Sequence, residues 1–172
     1  LADSRRLFGG LFVLVFGVVM LSGLYYRGFL TFLPELLGEF PSLAPVELAG
    51  REVQPARYVY AGLLGVGVVG QYAGGKLTDR VPTELGLVGG FAALAVLAVL
   101  FLPVATAGIV PLLFVCGLLG VCLFVVQPFY QATVAEYTPA GTRGLSYGYT
   151  YLGVFGVGAL GGAVAGGVLT LS

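Results

Sequence analysis

The sequence predicts an all-α protein, a polytopic bundle of five transmembrane helices, and three observations lead to that class. Hydrophobic residues make up 58% of the chain and charged residues 9%, where soluble domains carry roughly 45–50% and about 25%. With a mean hydropathy of +1.01, the chain cannot keep its surface wet, so most of that surface faces lipid or other helices. The apolar residues also come in unbroken runs of the ~20 residues that a membrane-crossing helix needs. Between the runs stand the prolines, glycines and charges that end helices.

The first run covers residues 7–37, the second 58–77, the third 85–104, the fourth 109–135 and the fifth 145–171. Barrel strands run about 9–11 residues and alternate apolar with polar; these runs are longer and continuously apolar, so they read as helices. Asp79 to Pro82 breaks the second run from the third, Pro103 and Pro111 bracket the next turn, and Pro139 to Gly141 breaks the fourth from the fifth. The loop over residues 38–57 is the longest and most polar. With Pro41, Pro45 and Pro55 it reads as irregular or partly helical. Residues 1–172 are expected to form a single transmembrane domain.

Sidedness follows from the basic residues, which are retained on the cytoplasmic face of a membrane. With the N-terminus cytoplasmic, the inner segments hold Arg5, Arg6, Lys76, Arg80 and Arg143; the outer ones hold Arg51 and Arg57 beside Glu35, Glu39, Glu47 and Glu52. The expected product is a multi-pass protein of the cell membrane with residues 38–57 outside. The chain opens on Leu1 instead of Met and stops at Ser172 after an odd number of spans, so a piece of a longer protein is expected.

Composition excludes several classes. The net charge is zero with no basic block, so nucleic acid is not an expected partner. The chain has no His, which removes the commonest metal ligand and acid–base residue. Cys116 and Cys122 sit inside one apolar run and read as small core residues. No Gly-x-x-x-x-Gly-Lys-Ser/Thr loop is present, so ATP is not implied. No metal, cofactor or catalytic residue is expected, and a membrane-embedded enzyme would have neither His nor paired intramembrane carboxylates to work with.

The most specific local feature is Gly74-Gly75-Lys76-Leu77-Thr78-Asp79-Arg80. It resembles the loop between the second and third helices of each six-helix half in the major facilitator superfamily, Gly-x-Leu-x-Asp-Arg/Lys, and here it stands between the second and third runs. Its later part departs from the pattern: Pro82 stands where the family prefers Gly, and Thr83 and Glu84 where it prefers basic residues. The stretch from Glu136 to Gly144, with Pro139 and Arg143, is similar to the family's loop between the fourth and fifth helices of a half. Arg27-Gly28-Phe29-Leu30-Thr31-Phe32-Leu33-Pro34 looks like the start of a second half, where many efflux members have Phe-Leu-Pro near the outer end.

The resemblance implies half of a major facilitator fold, helices seven to eleven with the twelfth absent. It implies a secondary active transporter that moves a small molecule across the bilayer by alternating access, with export as one direction it suggests. The partners implied are the lipid bilayer, the missing N-terminal half and a small-molecule substrate. Gly75, Asp79, Arg80, Glu136 and Arg143 are then expected to form a conformational latch and charge cluster on the cytoplasmic rim. A carboxylate such as Asp79 can accept from the free N–H groups of a neighbouring helix end. The bland reading is solvated loop charges. The alternative for the chain as a whole is a small structural or channel-forming integral membrane protein.

Within the spans, Arg27 stands apart, because an Arg in the bilayer must face a cavity, pair, or snorkel to the interface. Either it binds an anionic or polar substrate, with Tyr25, Tyr26 and Thr31 nearby, or it snorkels outward. Gln127 and Gln131 lie one helical turn apart beside Pro128, and line a cavity wall or bond neighbouring helices. Tyr147, Tyr149 and Tyr151 read as an interfacial aromatic belt. Gly158, Gly162 and Gly166 recur every fourth residue and predict close helix packing, as do Gly70 and Gly74.

Overall fold

The structure, a computed structural model, describes residues 2–171. It is helical nearly throughout. A short helix α1 (Ala2–Phe8) leads into α2 (Phe12–Gly38). A 3-10 turn (Pro41–Leu43) and two short strands, β1 (Val46–Leu48) and β2 (Arg51–Val53), follow. Then come α3 (Pro55–Leu77), α4 (Thr83–Ala105), α5 (Ile109–Glu136) and α6 (Arg143–Tyr151); a π-helical segment (Leu152–Val157) carries α6 into α7 (Gly158–Leu171). A helix therefore lies at each of the five apolar runs. Four of these, Phe12–Gly38, Thr83–Ala105, Ile109–Glu136 and Arg143–Val168, are long and apolar enough to cross a membrane. In α3, Arg57, Gln71, Lys76 and many glycines dilute the apolar character.

Two local results differ from the sequence reading. The first run is not one helix from residue 7: a turn at Gly9 and Gly10 separates α1 from α2. The loop at residues 38–57 holds an antiparallel hairpin in which Val46 pairs with Val53, Glu47 with Glu52 and Leu48 with Arg51. Its two-residue turn takes both central residues to positive φ, Ala49 at 52° and Gly50 at 73°. That is the turn whose twist matches paired strands.

By packing, the chain forms two compact units, Leu1–Phe32 with Tyr130–Ser172, and Leu33–Phe129. In the first unit, Leu7, Phe12, Val19 and Val134 form a fully buried cluster, against which Phe8, Phe16, Tyr147 and Tyr149 pack. The Phe8 ring meets Phe16 at 5.3 Å and 83°, and Tyr149 at 5.0 Å and 81°. Edge-to-face pairs of this kind each contribute about 0.5–1.5 kcal/mol beyond their area. Tyr149 thus belongs to an aromatic cluster, and its hydroxyl donates to Ser4 Oγ at 3.3 Å.

Backbone contact between α2 and the α6–α7 helix closes the unit. A Cβ added at Gly23 would lie 2.8 Å from Val154 Cα, one at Gly158 would lie 3.0 Å from the Gly23 carbonyl oxygen, and one at Gly28 would lie 3.0 Å from that of Gly161. Small residues let backbones approach where lipid supplies no hydrophobic drive between helices. Of the predicted stripe, Gly158 lies in this seam and Gly166 touches the Phe32 ring, whereas a Cβ at Gly162 would find nothing nearer than 3.9 Å. Gly161 takes the close position.

In the second unit, α5 is flanked by two glycine faces. Gly67, Gly70 and Gly74 of α3 meet Phe124, Val121 and Val125, and Gly120 of α5 meets Leu63 in return. On α4, Gly86 lies under the Phe129 ring and Gly90 against Val126. Cys116 is buried and Cys122 half-buried, both as free thiols. Next to the 3-10 turn, Phe40 meets Phe101 edge-on at 6.1 Å.

Candidate functional site

Tyr25 is the central residue of α2, and Arg27 lies two residues beyond it. At about 1.5 Å per residue, Arg27 sits ~3 Å from the middle of the helix. With the helix centred in a hydrocarbon layer ~30 Å thick, the nearer headgroups are about 12 Å away, beyond the reach of a three-methylene stem. The start of α2 at Phe12 is what places Arg27 so centrally, and it weakens the snorkelling reading.

The Arg27 guanidinium carbon lies 5.0 Å from the centroid of the Phe155 ring. Among the described residues no carboxylate pairs with it. An Arg at mid-span costs about 2.5–3.5 kcal/mol on insertion scales, and a cation over a ring gains ~0.5–1 kcal/mol when exposed and ~2 when desolvated. The ring therefore offsets part of the cost. An aromatic face has no lone pair for the guanidinium donors, of which there are five, so the rest must come from water or an anion.

Phe155 stacks in turn on Tyr151, with ring centroids 5.9 Å apart and planes 16° from parallel. Both rings are half exposed, at 51% and 53%, and make one flat wall beside Arg27. The π segment begins at Leu152, just after Tyr151, and ends at Val157, so Phe155 lies within it; such wide turns recur at functional sites. On the neighbouring α5, the Tyr130 hydroxyl lies within electrostatic range of the Tyr26 and Tyr151 hydroxyls.

The sequence-predicted site residues thus divide. Arg27, Tyr26 and Gln131 belong to one unit. Thr31 lies beside them, but its hydroxyl donates to the Arg27 carbonyl at 2.7 Å, so that proton is already used. Gln127 is half-buried and belongs to the second unit. Phe155, Tyr151 and Tyr130 were not picked out from sequence as site residues, although the spacing of Tyr151 and Phe155, one helical turn apart, was a readable signal.

The turn between α3 and α4 closes on its own backbone and on Thr78. The Thr78 hydroxyl donates to the Gly75 carbonyl at 2.7 Å, and the Arg80 and Val81 amides both donate to the Leu77 carbonyl at 3.0 Å. Asp79 and Arg80 are exposed, and the Asp79 carboxylate has no partner among the described residues. Gly75 faces open space. In the other unit, Glu136 and Arg143 line one shallow groove of about 640 Å³ at the turn between α5 and α6. That turn is held by Thr142, whose hydroxyl donates to the Pro139 carbonyl at 2.8 Å, and by Ser146, whose hydroxyl donates to the Arg143 carbonyl at 2.8 Å.

Four helices of spanning length and apolarity, one of them with a cation at its centre, define an integral membrane protein of the helical-bundle class. No protein-family model, curated protein or solved structure matches the chain.

Proposed function

We propose that the chain is part of a secondary active carrier of the major facilitator type, moving a small molecule by alternating access. The observation that carries this reading is the turn from Gly74 to Arg80. Its motif resembles the family's, and it joins two long helices. Its one carboxylate is exposed while every hydrogen bond that shapes the turn comes from other groups. A carboxylate not used to hold its own turn is free to accept from the N-terminal amides of another helix end. In this reading α3 is the fifth span, the N-terminus is cytoplasmic, the membrane is the cell membrane, and Asp79 latches onto an opposite half that completes the carrier. The glycine seams support it as well, because smooth helix faces can slide by small steps without unlocking side chains.

Exchange kinetics in membrane vesicles from cells expressing the complete gene product test the proposal. A carrier shows saturable uptake of its solute that speeds up when the same solute is loaded on the far side. Replacing Asp79 by Asn should slow that exchange about tenfold, the loss of one charge-assisted hydrogen bond. A flux that neither saturates nor responds to solute on the far side points to a channel and overturns the carrier reading. Sidedness is checked separately: Thr78→Cys in intact cells should resist an impermeant maleimide added from outside.

A further inference from the structure

We propose that the face of the first unit around Arg27 binds an organic monocarboxylate with a flat, aromatic body. The inference deepens the carrier reading by giving its substrate a chemical class, and it rests on that reading only for the assumption that the face meets water. Three features point to the class.

The first is charge. Arg27 is central in α2 and, among the described residues, has the Phe155 ring as its partner and no carboxylate. One unneutralised cation in a low-dielectric setting selects a single negative charge. A dianion would carry an uncompensated charge into the membrane, and an amine would be repelled. The second is hydrogen-bond geometry. Guanidinium donors lie in a planar fork that fits a carboxylate bidentately, and the ring contact supplies no acceptor for them. The third is shape. Phe155 and Tyr151 form a nearly parallel, half-exposed wall at 5.9 Å, and a flat ligand body can extend that stack. The Tyr130 hydroxyl, within electrostatic range of Tyr151 and Tyr26, adds a polar edge that can orient a ring substituent.

The test uses the purified full chain in lipid nanodiscs, with empty nanodiscs as the partition control and radiolabelled benzoate as the probe in equilibrium dialysis. Benzoate should bind saturably, one per chain. Unlabelled cyclohexanecarboxylate should displace it, but more weakly than unlabelled benzoate. Neither benzylammonium nor phthalate should displace it. Arg27→Gln should weaken binding about tenfold or more, Arg27→Lys should restore part of the loss, and Phe155→Leu should weaken it several-fold with the charge intact. Circular dichroism checks that each variant keeps its helix content. Solvent access is measured independently. With Cys116 and Cys122 replaced by Ala, Arg27→Cys should react with a hydrophilic methanethiosulfonate, and benzoate should slow the reaction in the Phe155-intact chain carrying Tyr151→Cys.

Absence of saturable benzoate binding, equal binding by Arg27→Gln, or displacement by benzylammonium overturns the proposal. So does an Arg27→Cys thiol that does not react, which would place this face in lipid. Because binding is measured without transport, the two readings fail separately. Benzoate binding without exchange activity leaves the site and removes the carrier, and exchange of other solutes without benzoate binding does the reverse.

Discussion

Gly161 of α7 and Gly28 of α2 meet backbone to backbone: a Cβ built at Gly161 would lie 2.9 Å from the Gly28 amide nitrogen and closer still to the Leu24 carbonyl oxygen. Neither neighbour is a side chain that could turn aside. Gly161→Ala should therefore destabilise the chain by about 1–3 kcal/mol, the usual cost of overpacking. Gly162→Ala, with nothing nearer than 3.9 Å, should stay within ~0.5 kcal/mol. Unfolding titrations in mixed micelles rank the two, and the opposite order would show that the seam runs through Gly162.

The α3–α5 seam carries a similar contrast. Gly70 faces the backbone of Val121, whereas the nearest atoms to Gly67 belong to the Phe124 side chain. A ring can rotate and a mid-helix carbonyl cannot, so Gly70→Ala should lower the unfolding midpoint more than Gly67→Ala. Equal effects in thermal unfolding followed by circular dichroism would mean that Phe124 is held as firmly as the backbone.

Gly86 and Phe129 make a coupled pair. The Phe129 side chain is 1% exposed, and its ring occupies the place a side chain at Gly86 would take. Each single change, Gly86→Ala or Phe129→Leu, should destabilise. Together they should cost less than their sum by about 0.5–3 kcal/mol, as for residues in contact. Strict additivity in the double-mutant cycle would remove the contact.

The β1–β2 hairpin can be strengthened at one position. Ala49 holds φ at 52°, a left-handed conformation that costs an L-residue roughly 1–2 kcal/mol and that Asn tolerates before Gly50. Ala49→Asn should slow amide hydrogen exchange across residues 46–53 severalfold, and faster exchange would mean that the turn is of another type.

Much of the fold was legible because lipid imposes a simple rule: every spanning backbone must bond internally, so length and continuous apolarity suffice to place the helices. What escaped was weakly marked. The break at Gly9 and Gly10 carries a Gly-Gly turn signal, but the apolar run continues on both sides of it. The hairpin has strands of three residues and an Ala-Gly turn in place of the telling Asn-Gly. In the Gly158–Gly166 region, positions three and four residues apart both lie near one face, so spacing cannot say that Gly161, not Gly162, meets α2. As for the site, Arg27 was conspicuous by its charge alone. Phe155 was not, because its meaning comes from a tertiary contact with a residue on another helix, and no local pattern records that. The π segment, in which Phe155 lies, leaves no periodic trace in a stretch this rich in glycine.

The first unit is assembled from two segments separated by about a hundred residues, and this sets a problem of timing during synthesis. Helix α2 leaves the ribosome before α6 and α7, with an Arg near its middle and a bare strip at Gly23 and Gly28. The ring that meets that charge, and the backbone that covers that strip, belong to helices made later, after α5. Until they arrive, α2 is a poor tenant of the bilayer. It must be kept beside the insertion machinery, or sit shallowly, while α3, α4 and α5 are made. Stop codons just beyond α5 should leave a product that quality-control proteases recognise by its uncovered α2.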